Sequence, residues 1–74
     1  MPRAEAPTKT QVQETSIGRL TWHKYASVRT FHCDYCHEDK TSKTEIEWRR
    51  PEVATVDTVC NGCYGELLAK SRAG

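Results

Sequence analysis

The chain has no apolar run approaching the ~20 residues that cross a bilayer, and Met1 to Gln13 is polar, with two prolines and no apolar h-region of a secretory signal. Both absences point to a protein kept in a reducing interior, with no membrane among its partners. Core material is scarce as well. Of 74 residues only 36% are hydrophobic, and two Trp, three Tyr and one Phe are the whole aromatic content. Chains this short rarely obtain more than ~3–5 kcal/mol from a core alone. Excess charge of one sign is also missing: the formal net charge is +1. A strongly basic whole-domain footprint for nucleic acid is thereby excluded, and any such contact must use a local patch. No glycine-rich phosphate loop or nucleophile constellation is present, which argues against an enzyme and against a small-molecule substrate.

All four cysteines fall into two close pairs, Cys33-Asp34-Tyr35-Cys36 and Cys60-Asn61-Gly62-Cys63. A C-x-x-C turn sets two sulfurs on one side of a tight loop, so two such turns supply four thiolates to a tetrahedron about 2.3 Å from a metal. Disulfide-rich small domains scatter their cysteines, whereas these pairs are too close to bridge comfortably within themselves. A thioredoxin-like site needs a βαβ unit that this chain does not offer. The spacing predicts one structural zinc ion on Cys33, Cys36, Cys60 and Cys63. Zinc binding worth about 10–16 kcal/mol in finger peptides exceeds the net stability of many domains, so folding should depend on the metal. His32 and His37 flank the first pair; with four cysteines in register, hydrogen bonding to a thiolate is their expected role.

Residues 1–15 read as a disordered leader that anchors nothing, and 16–74 as a single zinc-binding domain with the finger proper over 31–72. Ile17, Leu20, Trp22, Tyr25, Val28 and Phe31 recur without a clean period; extended structure is favoured over a helix, with Val28 to His32 running into the first knuckle. His37 to Ser42 is a polar turn. Thr44 to Arg49 alternates, with Ile46 and Trp48 on one face, and Val53, Val56 and Val59 lead into Cys60. After Gly65, an early Glu66, late Lys70 and Arg72, and a terminating Gly74 describe a helix whose Leu67 and Leu68 cover the hairpin. Knuckle, β-hairpin, and a second knuckle opening a C-terminal helix make a small zinc-stabilised α+β fold of treble-clef type, with an N-terminal strand-like extension.

The run Thr41, Thr44, Trp48-Arg49-Arg50 and Cys60-Asn61-Gly62-Cys63 resembles a GATA-type zinc finger over about residues 33–70. That resemblance implies a transcription-related DNA-binding module. It implies the four cysteines as ligands, Trp48 as a core residue beside the metal, Asn61 as a brace for the second knuckle, and Arg49 and Arg50 at the DNA-facing side.

Charge is segregated along the chain. Residues 17–32 carry Arg19, Lys24 and Arg29 and no acid. With Lys43, Arg49 and Arg50 these are the candidate contacts to nucleic acid or to a partner. Two functional readings result. In the first, which the resemblance puts ahead, the finger binds DNA and regulates transcription, inside the cell. In the second it is an adaptor or inhibitor docking on a protein, for example of the transcription machinery, with no nucleic-acid contact; Glu45 and Glu47, which would repel phosphates beside Trp48, speak for this one.

Overall fold

The computed structural model describes residues 6–73. Four strands and one helix follow in chain order: β1 Lys9–Thr15, β2 Gly18–His32, β3 Asp39–Arg49, β4 Val56–Val59 and α1 Asn61–Ala73. The strands form one antiparallel sheet in the order β1-β2-β3-β4, each paired with its sequence neighbour. The fold is thus a small α+β arrangement with a C-terminal helix.

Alternation along β2 and β3 decides which face is buried. Successive side chains of a strand point to opposite sides, and the register sets Leu20 opposite Trp48, Trp22 opposite Ile46, and Ile46 opposite Val59. These apolar residues share one face. Helix α1 lays Leu67 on it, and Leu20, Ile46, Val59, Leu67 and Cys33 are each at most 2% exposed. Ile17, Trp22, Phe31, Tyr35, Trp48, Tyr64 and Leu68 pack around that cluster. Each fully buried aliphatic side chain contributes about 1.5–3 kcal/mol. Four of them leave a core too thin to order a chain of this size by itself.

Two irregularities shape the sheet. The β1–β2 turn closes on Gly18 at φ 129, and the Thr15 hydroxyl donates to the Gly18 carbonyl at 2.7 Å. A Cβ at Gly18 would stand 2.4 Å from the Arg49 carbonyl oxygen, so the backbones of β2 and β3 meet there at a distance only glycine permits. Farther along, the β2–β3 register jumps between Lys24 and Arg29. The extra β2 residues bulge and kink the long hairpin. The bulge is filled by Tyr25, 7% exposed, with the Arg29 guanidinium 4.0 Å from its ring centroid. Beyond the kink the hairpin tip reaches β4: Asp34 donates its amide to the Thr58 carbonyl at 2.7 Å, and its carboxylate accepts the Thr58 amide at 2.8 Å.

Several expectations change. Residues 9–15, read as part of an unanchored leader, form β1; a two-residue turn delivers them to β2, and ladder bonds rather than apolar burial hold them. Residues 1–5 and Gly74, the expected helix terminator, lie outside the described residues. The polar turn ends at Glu38, because Asp39 to Ser42 pair with Arg29 to His32. The helix opens at Asn61, so Glu66 is beyond its first turn, which holds no acid, while Lys70 and Arg72 occupy the last turn as expected.

Candidate metal centre

The first knuckle is shaped by local backbone bonds. Cys33 donates its amide to the Glu38 carbonyl at 2.9 Å, and the His37 amide returns to the Cys33 carbonyl at 2.9 Å. His37 sits in the left-handed region at φ 62, a conformation histidine tolerates better than most side chains. The second knuckle leaves β4 at Val59 and enters α1, where the Tyr64 amide closes a helical turn on the Cys60 carbonyl at 2.9 Å.

These two turns gather all four thiols. The Sγ atoms of Cys33, Cys36, Cys60 and Cys63 lie within 4.8 Å of one another, and those of Cys33 and Cys63 are 3.7 Å apart. A regular tetrahedron with bonds of about 2.3 Å has an edge of ~3.8 Å. The Cys33–Cys63 separation matches that edge, the whole set lies within 4.8 Å, and the four cysteines are free rather than bridged. They are positioned to coordinate one metal ion, and the all-sulfur donor set fits zinc.

Electrostatics rank the four sulfurs. Burial alone would push the Cys33 thiol up, but hydrogen bonds from the backbone of Cys36, Cys60 and Tyr35 outweigh it and lower the group to about 6. The amides of Cys60 and Cys36 stand 3.4 and 3.5 Å from its Sγ. Cys33 is therefore the sulfur already disposed to be a thiolate. Cys63 is driven up by burial and by the sulfurs of Cys60, Cys33 and Cys36 around it. Burial, together with Cys33, raises Cys36 too. Negative charge thus concentrates on one sulfur of the metal-free site; a dication makes all four ionise.

The remaining predicted residues are dispersed. Trp48 is half-buried against the core cluster, its indole N–H donating to the Ile17 carbonyl at 3.0 Å and its ring meeting Tyr35 edge-on at 6.1 Å. Asn61 is exposed at the helix start, and its side chain makes no hydrogen bond among the described residues. The knuckles are tied instead by the Cys60 amide on Cys33. His32 turns from the thiols to the Asp39 carboxylate, 3.1 Å away, and no hydrogen bond joins His37 to a sulfur among the described residues.

Of the candidate cations, Arg50 stands 2.8 Å from Asp57 and stacks over Trp48 at 5.1 Å. Arg19 pairs with Glu14 at 2.8 Å, and Arg29 lies 4.0 Å from Glu45. Lys24, Lys43 and Arg49 are exposed and have no ion pair among the described residues. Sequence reasoning missed three side chains of the site: Asp34, which bonds β4, and Tyr35 and Lys70, whose hydroxyl and ammonium meet in a hydrogen bond between first knuckle and helix. Two of the three lie within the first C-x-x-C, a motif whose spacing singles out only the cysteines.

Compared with known proteins, the chain matches no family model, no curated protein and no solved structure. The four-cysteine cluster is the feature that the fold itself supports. No helix among the described residues is long and apolar enough to cross a membrane.

Proposed function

We propose that the chain is a non-catalytic binding module of treble-clef type, held by one structural zinc ion, and that it acts on a protein rather than on DNA. Four thiolates would fill the coordination shell, leaving no position for water, and the ion would serve as a cross-link between the β2–β3 tip and the helix start. Cys33 and Cys36 hold one side of that link and Cys60 and Cys63 the other.

The observation that carries the choice of partner is the outward face of β3. Alternation sets Lys43, Glu45, Glu47 and Arg49 in one row, so two carboxylates stand between two cations that are themselves about 20 Å apart. Glu45 approaches Arg29 and Glu47 approaches His23 at 3.4 Å. A row with two adjacent carboxylates at its centre offers a phosphate backbone no continuous counter-charge. It suits a protein surface carrying the complementary mixture.

A salt titration decides between the readings. Zinc-loaded protein mixed with labelled duplex at ~50 mM salt should show no binding, since on the β3 face Glu45 and Glu47 interrupt the cations that would release counter-ions. Binding that weakens steeply with salt, and that is lost in Arg49→Ala, would overturn the protein-partner reading in favour of DNA.

A further inference from the structure

The two outer edges of the sheet are treated differently. At β4 the hairpin tip folds over and Asp34 bonds Thr58 on both sides of its peptide, which closes that edge. At β1 nothing among the described residues covers the outer edge. Lys9 to Glu14 are all exposed, Thr15 is half-buried, and Val12 is 58% exposed. Such a strand costs about 1–2 kcal/mol of backbone entropy per ordered residue and recovers little by burial. Its centre, Thr10-Gln11-Val12-Gln13, holds no proline, charge or bulge, the usual means of protecting an open edge.

The pattern of side chains in β1 fits its own reverse. We propose that the outer edge of β1 pairs antiparallel with β1 of a second copy of this chain, Val12 opposite Val12, making a continuous eight-stranded sheet across a two-fold axis. In that register Gln11 faces Gln13 of the second copy, and the two amides exchange hydrogen bonds. Thr10 faces Glu14 and Lys9 faces Thr15, so no like charges oppose each other. All pairs join residues of equal parity, which keeps both apolar faces and both metal centres on the same side of the joined sheet. Seven residues a side make a small interface, at the weak end of specific association. This self-pairing goes beyond the partner-binding reading, since it uses backbone at the opposite edge from β4 and needs no charged surface.

Sedimentation velocity on the zinc-loaded full chain from about 10 µM to about 1 mM tests it. The expected result is a concentration-dependent monomer–dimer equilibrium, with amide exchange in residues 9–15 slowing as concentration rises and exchange in β4 unaffected. Val12→Lys sets two ammonium groups against each other on the axis and should weaken the dimer about 10-fold or more. A monomer at every concentration overturns the proposal, and so does a dimer that Val12→Lys leaves intact. Should Val12→Lys fail to fold, as judged by its zinc content, the wild-type exchange decides: rates in β1 that do not change with concentration overturn it.

Discussion

The Cys60 amide donates to the Sγ of Cys33 at 3.4 Å, so the residue just before the helix also stabilises charge on the first sulfur of the hairpin tip. This contact couples protonation to folding. The Cys33 thiol is lowered to about 6 in the fold, against about 8.5 for an unstructured thiol. A lowered folded-state value contributes stability that is complete above the unfolded value and is lost as pH falls through about 6. In the metal-free chain refolded by an excluded osmolyte, helix and sheet content followed by circular dichroism should rise from pH about 6 upward, and thiolate absorbance should appear in the same range. Without osmolyte, thiolates should appear only near ~8.5.

Of the described glycines, Gly18 is the one that the backbone around it most constrains. Alanine there would have to hold φ 129 with its Cβ 2.4 Å from the Arg49 carbonyl oxygen. Both the conformation and the contact are unfavourable, and Gly18→Ala should cost the zinc-loaded protein about 1–3 kcal/mol. In thermal unfolding each kcal/mol corresponds to roughly 4–8 °C for a domain of this size. An unchanged Tm would place the β1–β2 turn elsewhere.

Trp48 joins three parts of the molecule through the core, Ile17 and Tyr35. Trp48→Phe keeps a ring but loses the donor to the Ile17 carbonyl, and denaturant unfolding should show a loss of about 0.5–1.5 kcal/mol. Trp48→Ala should cost more, by the added loss of packing. Because no base contact is assigned to this ring, Trp48→Phe should leave partner affinity unchanged when the partner is in hand.

Asp34→Ala should open the β4 edge. It removes the acceptor of the Thr58 amide while leaving the bond from its own amide to the Thr58 carbonyl, so the loss is about 0.5–1.5 kcal/mol. Hydrogen exchange at Thr58 should accelerate, and Asp34→Asn, whose carbonyl oxygen can still accept, should restore most of the protection. Equal exchange in all three proteins would show the contact to be incidental.

The parts of this architecture that were legible in the sequence are those whose chemistry is local. Paired C-x-x-C spacing names the metal ligands without further context, and the alternation of Ile46 and Trp48 against Glu45 and Glu47 identifies a half-buried strand. Lys70 and Arg72 mark the end of the helix. What escaped notice depends on distant pairing. β1 has one apolar residue, Val12, and hence no periodicity to read; it is a strand because the turn at Gly18 returns it alongside β2. The bulge at residues 25–28 follows from register against β3, which no local pattern reveals. The helix begins at Asn61, ahead of the good formers that start at Glu66, because Cys60 and Cys63 are placed by the metal site. Asp34 gave no sign of its role, since the strand it bonds lies 24 residues on. The pairing of Arg19, Arg29 and Arg50 is not local, because the acids that hold them lie on neighbouring strands.

X-ray absorption at the zinc edge of the protein purified with its metal, with the zinc content measured on the same sample, tests the central claim most directly. The expected result is one zinc per chain with four sulfur neighbours at about 2.3 Å and no oxygen or nitrogen, and a chain that loses its dispersed amide spectrum once the ion is chelated under reducing conditions. Mixed sulfur and nitrogen or oxygen ligands, or a spectrum that stays dispersed without metal, would contradict it.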